Sequence, residues 1–420
     1  MNELRQDVVY GLRMLVKRPV FTAIAALSLA LGIGLNTAIF TLINTILWGA
    51  LPYQAPDRVA VVWSVPPRQP DQVHRMSVPD YLAIRERNRS FEAIGAMDLN
   101  ECDFGASENG IPAERIVGEE FTPGLLDALG AQPLLGRLFN ASEDEIDHPA
   151  PVIVLSYRLW QRRFGGDKDI LSRTVLINGV KTNIIGVMRP NFRFSDDRAE
   201  YLAPILLSHF QLQGSGRYLF VAGRLKPGVS IQQAQSEMDQ ITRQLAKEFP
   251  RDMDQGKPWT ARVQPVRDAL FGFMSRPLLL LQGAVGFVLL IACANVAALL
   301  LARASSRRTE ISIRAALGAS RRRIFQQLIT ESLMLSALGG VLGVLLAWWA
   351  VRALVAMSPP WFPRLNEVSI NGWVLLISAG ISVVTGIIFG LAPALHGSQT
   401  SFVEALKDAT RGGTTGGRTP

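Results

Sequence analysis

Four long runs of apolar residues stand out from an otherwise mixed sequence. They are Val20 to Trp48, Pro277 to Leu301, Leu328 to Met357 and Trp373 to Leu395. Each run reaches the ~20 residues that an α-helix needs to cross ~30 Å of hydrocarbon. The pattern predicts four transmembrane α-helices, with a long polar stretch between the first and the second.

That polar stretch alternates short strand and helix patterns. Val59 to Trp63 and Tyr218 to Leu225 are typical of strands, and Phe121 to Leu129 is typical of a helix. Ser77 and Ser230 are predicted to cap helices. Asn178-Gly179 lies between two apolar runs and predicts a tight hairpin. The mixture indicates an α+β or α/β domain, long enough for one or two subdomains.

A basic run fixes the expected orientation. Residues Arg303 to Arg323 carry seven arginines against one acid. Because short basic loops stay on the cytoplasmic side, this loop and both termini are predicted to be cytoplasmic and the large domain to lie outside the cell membrane. The first apolar run is too long for a signal-peptide core, so it is interpreted as a retained span.

The resulting layout is a multi-pass membrane protein with a large external domain between helices 1 and 2. Its predicted segments are a cytoplasmic amphipathic helix (1–19), helix 1 (20–48), the external domain (49–275), helix 2 (277–301), a cytoplasmic loop (302–323), helix 3 (324–357), a short external loop (358–372), helix 4 (373–395) and a cytoplasmic tail (396–420).

The net charge of +8 reports this topology. The segments predicted to be cytoplasmic hold fourteen basic and five acidic residues, whereas the large domain is close to balanced. The charge therefore follows the positive-inside rule, and no nucleic-acid partner is predicted.

Motifs that carry enzyme chemistry are missing from these 420 residues. There is no phosphate-binding G-x-x-x-x-G-K-[ST], H-E-x-x-H, C-x-x-C or G-x-S-x-G pattern, and the four histidines have no metal-ligand spacing. Cys102 and Cys293 lie in different environments, so no disulfide is predicted. We therefore predict no catalytic, cofactor-binding or metal-binding residues.

Small residues in the spans predict close helix packing. Asn36, which is polar at depth, is expected to face protein. The single acid in the spans, Glu331, is either interfacial or the partner of a loop arginine. Six glycines are assigned to this packing: Gly32, Gly34, Gly339, Gly343, Gly386 and Gly390. The alternative is that their spacing arose by chance, because glycine is common in membrane spans.

The basic loop has its own internal pattern. From Thr309 to Leu317 apolar and charged residues alternate as in a short helix, and Gly318 is expected to end it. On composition alone, a solvated loop that only sets topology is the alternative.

Glu310 to Ile324, EISIRAALGASRRRI, resembles the coupling-helix segment of permeases of the MacB and FtsX type, the mechanotransmission class of ABC systems. Other matching motifs are Leu135-Gly136-Arg137, SYRLWQRRFGGD from Ser156 to Asp167, and Arg224 to Val229 in the large domain, and Val403 to Lys407 in the tail. The set is similar to orphan permeases of the acidobacterial duplicated type, in a single-half form.

The resemblance implies a non-catalytic multi-pass permease of the bacterial inner membrane, with a large α+β periplasmic core domain at 49–275 and a short periplasmic loop at 358–372. This permease would work with a cytoplasmic ABC ATPase on another chain, which would bind the ATP. It also implies a homodimer or a heterodimer with a related permease, in contact with membrane lipid, and allows a periplasmic adaptor and an outer-membrane channel. The residues it assigns to ATPase docking are Glu310, Ile311, Arg314, Leu317 and Gly318.

Two functions remain open. The chain could drive efflux or export of a periplasmic substrate, or it could be an FtsX-like signalling scaffold that regulates an extracytoplasmic enzyme. The large external domain favours transport, by analogy with the family.

Overall fold

The structure is a computed structural model. It describes residues 13, 15–106, 113–190, 192–194, 198–212, 216–248, 253–254, 257–306, 321–358, 364 and 367–397. Its contacts divide the chain into two compact units. The sheet unit comprises Gly49–Phe273, and the helix unit comprises the residues before Gly49 together with most of those after Phe273.

The sheet unit contains all the described strands and five short helices. The helices are α2 (Val78–Arg87), α3 (Pro123–Leu129), α4 (Tyr157–Phe164), α5 (His209–Leu212) and α6 (Ile231–Glu248). The strands are β1 (Val59–Val65), β2 (Met76–Ser77), β3 (Phe91–Ala106), β4 (Glu114–Phe121), β5 (Pro133–Gly136), β6 (Val152–Leu155), β7 (Thr174–Ile177), β8 (Val180–Met188), β9 (Tyr201–Pro204), β10 (Arg217–Leu225), β11 (Met253–Asp254), β12 (Lys257–Pro258) and β13 (Thr260–Pro265).

Local sequence explains several of these boundaries. The Ser77 hydroxyl accepts a hydrogen bond from the Asp80 amide at 3.3 Å and starts α2, while Ser156 starts α4 through the Leu159 amide at 3.1 Å. Asn178 and Gly179 both have positive φ, 49° and 82°, as the predicted β7–β8 hairpin requires.

One mixed sheet of eleven strands runs through the unit in the order β13-β1-β10-β3-β4-β9-β6-β8-β5, with β2 and β7 paired at its sides. Most neighbours are antiparallel, but β4 pairs with β9 and β6 pairs with β8 in parallel. Helices α2 and α6 cover one end of this sheet, and α4 covers the other. The α+β domain predicted from sequence is therefore present.

The sheet has two separate apolar cores, as expected for a two-part domain. The first lies between β1, β10 and β13 and the helices α2 and α6, and includes Tyr81, Ile84 and Met238. The second lies under α4 and includes Phe104, Trp160 and Ile184. The long strands β3 and β4 connect the two regions of the sheet.

Two sequence expectations in this unit differ from the structure. The helix expected from Phe121 begins at Pro123, because Phe121 is the last residue of β4 and pairs with Met97. The sequence analysis also did not predict the long β3–β4 hairpin. Polar residues at some of its positions obscure the alternation of apolar and polar residues that is typical of a strand.

The helix unit contains α1 (Pro19–Ile46), α7 (Val266–Ser306, whose first residues belong to the sheet unit), α8 (Arg321–Met357) and α9 (Gly372–Gly397). Within the described residues, α1, α7 and α8 are long and apolar enough to cross a membrane. The described apolar part of α9, Gly372–Ile388, is shorter, so the fourth transmembrane helix stays a prediction. Most of the predicted amphipathic helix 1–19 lies outside the described residues.

Candidate functional site

The predicted docking residues cannot be placed. Glu310, Ile311, Arg314, Leu317 and Gly318 all lie outside the described residues, in the gap between α7 and α8. The site that can be described is the contact surface between the four long helices.

Helices α1 and α8 approach each other at glycines. A Cβ built at Gly34 would lie 2.8 Å from the carbonyl oxygen of Gly343, and one built at Gly339 would lie 2.6 Å from the Leu29 Cβ. Real side chains do not tolerate such distances, so these positions need glycine for this approach. The structure thus brings together three of the six predicted packing glycines.

Helices α8 and α9 also meet at small residues. A Cβ at Gly386 would lie 2.9 Å from Leu333 Cδ2 and 3.2 Å from Ser336 Cβ, and one at Gly340 would lie 2.4 Å from the Ser382 hydroxyl. For Gly390, the structure describes only the helical backbone. The packing role assigned to the six glycines stays a prediction until they are substituted.

Buried hydroxyl groups line the junction of α1, α8 and α9. The hydroxyls of Thr37 in α1 and Ser378 in α9 lie 2.8 Å apart, and each also lies within hydrogen-bond distance of a carbonyl oxygen in its own helix. Because a hydroxyl has one hydrogen, one of the two donates across to the other and the other donates to its own backbone. Thr41 in α1 and Ser336 in α8 are also fully buried. A serine or threonine hydroxyl that donates to a carbonyl of its own helix is not left unpaired. Such residues can therefore lie inside a tightly packed helix bundle in lipid.

Helices α1 and α7 are joined by amides. Asn36 is buried, as expected, and its Nδ2 donates to the carbonyl oxygens of Gly32 and Val285, both at 2.8 Å. Its Oδ1 accepts a hydrogen bond of 2.9 Å from Gln282 Nε2. Gly32 lies one turn away and faces Leu289 and Ala292.

The sequence analysis missed Gln282. The signal that could have identified it is its side-chain amide, which, like that of Asn36, lies inside a long apolar run. The alanine pair Ala294 and Ala298 also suggested packing, but both residues are exposed, and α7 turns Leu289, Ala292 and Val296 towards α1 instead.

Three tryptophans mark one level of the helix unit. Helices α8 and α9 contact each other at Gly340 and Ser382. Trp348 and Trp349 in α8 lie about as far along the helix from this contact as Trp373 does in α9, and all three side chains are exposed. One turn further, the Arg352 guanidinium lies 4.2 Å from the Trp348 ring centre. Such a belt is typical of a membrane interface.

A buried ion pair holds one end of the sheet unit. Arg217 donates to Asp80 at 2.7 Å and to the Ser64 hydroxyl at 2.8 Å, and its side chain is 8% exposed. The Trp259 ring covers the guanidinium at 4.0 Å. The contacts tie β10, β1 and α2 together.

Two carboxyl groups of the sheet unit have raised pKa values. Burial raises the pKa of Asp144 to about 7, against a smaller opposing effect of Arg85. Burial likewise raises the pKa of Glu120, although Asn100 donates to its carboxylate at 2.7 Å. The described residues contain no group of three or more His, Cys, Asp or Glu that could hold a metal ion.

Two protein-family models match the chain. The MacB-like periplasmic core domain matches residues 22–241, and the FtsX-like permease C-terminal domain matches residues 283–402. The first match alone covers just over half of the chain.

Curated relatives match at modest identity. The Macrolide export ATP-binding/permease protein MacB of Campylobacter jejuni is 25% identical over 275 residues, which are 64% of this chain and 41% of that protein. The Uncharacterized ABC transporter permease YvrN of Bacillus subtilis is 27% identical over 271 residues, 63% of this chain and 64% of that protein. The chain thus spans between two fifths and two thirds of these relatives.

Among solved structures, a domain of a putative permease protein from Porphyromonas gingivalis aligns with 51% of this chain and 92% of its own length. The sequence identity is 19% and the TM-score is 0.40.

Proposed function

The chain belongs to the MacB-like periplasmic core domain family and is an ABC-type permease of the bacterial inner membrane, and from this premise we propose that it is a mechanotransmission subunit. In this role it passes the ATP-driven movements of an ABC ATPase to its periplasmic domain. The function is mechanical, and this chain performs no chemistry in it.

One observation carries the proposal. Strand β13 ends at Pro265 and helix α7 begins at Val266, so no loop separates the last strand of the core domain from the helix that contains the second span. A helix transmits displacement along its axis because its backbone hydrogen bonds resist stretching. Pro277 removes one of these bonds within α7, but the helix continues through it to Ser306. Movement at the cytoplasmic end of α7 can therefore reach β13 directly.

The ATPase would dock on the cytoplasmic loop. In this proposal Glu310, Ile311, Arg314, Leu317 and Gly318 form the coupling helix, and ATP is bound by the ATPase and not by this chain. The support is the family match together with the alternation of apolar and charged residues in this segment.

Replacing Glu310 and Arg314 by alanine tests the docking. We expect the double variant to lose co-purification with the ATPase and to lose stimulation of ATP hydrolysis. The matched control is Arg307→Ala with Arg308→Ala, in the same loop but outside the proposed helix. If the Glu310 and Arg314 variant binds and stimulates as the unaltered chain does, the docking assignment is wrong.

The proposed orientation places both termini in the cytoplasm and the sheet unit in the periplasm. The basic loop between α7 and α8 supports it. With Cys102 and Cys293 replaced, an impermeant thiol reagent should label Ser107→Cys but not Ser306→Cys in intact cells. Labelling of the Ser306→Cys variant alone would reverse the orientation.

The output of the cycle is proposed to be efflux or export of a periplasmic substrate. The assembly would contain two permease chains, identical or related, in contact with lipid, with a periplasmic adaptor and an outer-membrane channel as further partners. The support is the core-domain match and the similarity to macrolide export proteins.

A signalling scaffold that regulates an extracytoplasmic enzyme is the second candidate, favoured by the FtsX-like C-terminal match. Purification of the native complex separates the two. An adaptor and channel that co-purify with the chain would support transport, whereas a co-purifying cell-wall hydrolase would support signalling.

A further inference from the structure

Asn36 and Gln282 form an interhelical amide contact inside the helix unit. Asn36 uses both Nδ2 hydrogens, one for Gly32 in its own helix and one for Val285 in α7, and its Oδ1 accepts from Gln282 Nε2. The remaining oxygen, Gln282 Oε1, is buried and has no hydrogen-bond partner among the described residues. Turning the Gln282 amide over would set two acceptor oxygens against each other, so its orientation is fixed.

The two hydrogen bonds from Asn36 to α7 differ in what they specify. Every turn of α7 presents backbone carbonyls to α1, so the bond to Val285 could be remade after a shift of one turn. The Gln282 side chain occurs at one height only. A single buried polar contact of this kind can select one register among several apolar alternatives.

The rest of the α1–α7 contact is weakly selective. Only 17% of the apolar window of α7 is buried in the unit, against 56% of that of α1. The facing residues are Leu289, Ala292 and Val296, which are all apolar. Apolar contacts give little register preference in lipid, because lipid tails are as apolar as the side chains.

We propose that Asn36 and Gln282 form a register lock that makes the first and second spans move as one body. The proposal rests on the proposed function, because these spans are the two helices that flank the core domain in the chain. With the lock in place, α7 cannot slip by a turn along α1 during the cycle. Both are positioning residues.

Disulfide cross-linking measures the register without any ATPase. A Cβ at Gly32 would lie 3.4 Å from the Ala292 Cβ, close to the spacing of a disulfide. The pair Gly32→Cys and Ala292→Cys therefore reports the native register. Gly32→Cys with Val288→Cys or Val296→Cys reports a shift of one turn in either direction. Cys102 and Cys293 are replaced by alanine throughout.

In membranes, Gln282→Leu should lower the ratio of native to shifted cross-links by about threefold to twentyfold. This range corresponds to the free energies measured for interhelical hydrogen bonds in lipid. Asn295→Leu is the matched control, because Asn295 is an exposed amide in the same helix. It should leave the ratio unchanged. Equal ratios in the Gln282→Leu and Asn295→Leu variants would overturn the lock.

A second variant tests the register lock without leaving an unpaired amide that could prevent folding. Asn36→Leu combined with Gln282→Leu removes both polar groups and leaves no unpaired amide in the contact. It should insert normally and still populate shifted cross-links. If this double variant keeps the native ratio, apolar packing alone sets the register and the lock is wrong.

Coupling is measured separately with the ATPase bound. The Gln282→Leu variant should retain ATPase docking, yet show an at least threefold smaller ATP-dependent change in the reactivity of a Ser107→Cys reporter. An undiminished change would refute the role in transmission. If the unaltered protein shows no ATP-dependent change, the proposed function fails, while the cross-linking ratios still decide whether the register is locked.

Discussion

Gly339 in α8 lies so close to Leu29 in α1 that a Cβ on the glycine would come within 2.6 Å of the leucine Cβ. The Leu29 Cβ is attached to the backbone and cannot rotate away. The two helices therefore keep this distance only while residue 339 has no side chain.

We expect Gly339→Ala to destabilise the helix unit by about 1–3 kcal/mol, the usual cost of overpacking. The change should lower the thermal midpoint of the full-length protein in detergent. Gly380→Ala is the matched control in α9, because nothing lies within 4 Å of its added Cβ. If both variants melt at the same temperature, the close approach is not needed for stability.

The ion pair between Arg217 and Asp80 is expected to contribute strongly to the sheet unit. Arg217→Met leaves a largely buried carboxylate without its cation, at a cost of about 3–5 kcal/mol. Arg115→Met provides the comparison, because the Arg115–Glu101 pair is exposed and its loss should cost less than about 1 kcal/mol. Denaturant unfolding, followed by tryptophan fluorescence, measures both.

Adding Asp80→Asn to Arg217→Met should recover part of the lost stability, because the uncompensated charge is then removed. If the single Arg217→Met variant is as stable as Arg115→Met, the charge of Asp80 is not buried in solution.

The carboxyl group of Asp144 should make stability depend on pH. Its folded pKa, about 7, lies above the ordinary value of 3.8 because of burial. The unfolded chain therefore ionises first, and Asp144 destabilises the fold progressively as pH rises from about 4 to about 7. Its contribution is most favourable below pH 4.

We expect Asp144→Asn to raise the stability of the protein at pH 8 by about 1–2 kcal/mol, less than full desolvation would give. The gain should vanish near pH 4. Thermal unfolding of both proteins across this range is the measurement, and a difference that stays constant with pH would contradict the raised pKa.

The level of Trp348, Trp349 and Trp373 should coincide with one interface between the membrane and water. Val341 lies two turns before Trp348 in α8, Met357 lies beyond Arg352, and both side chains are exposed. A spin label at residue 341 should be accessible to oxygen, and one at 357 to a water-soluble relaxation agent. The reverse pattern of accessibility would show that the three tryptophans do not lie at a membrane interface.

The sequence predicted elements whose causes are local. The β7–β8 hairpin follows from Asn178-Gly179, and α2 follows from the Ser77 cap, because each depends on a few adjacent residues. The mixture of strands and helices in the large domain was likewise indicated by alternating short patterns, which left open whether it had one or two parts. Apolar length alone predicted the three helices that meet the criterion for a span.

Contacts between distant residues were harder to predict. Gln282 occurs as one polar residue in an apolar run, and nothing in its neighbourhood indicates that its partner is Asn36. The face that α7 turns to α1 depends on helix rotation, so Ala294 and Ala298 were indistinguishable from Ala292. The register of β3 and β4 is set by pairing over many residues, which no local motif encodes.

The contact between Asn36 and α7 also has a consequence for biosynthesis. Gln282 follows Asn36 by 246 residues in the chain, so at ~5–20 residues per second the ribosome reaches it roughly 12–50 s later. During that interval the Asn36 amide must remain in the nascent first span without its partners in α7. The sheet unit is made in the meantime, and the membrane part can complete its hydrogen bonds only after that domain has been synthesised.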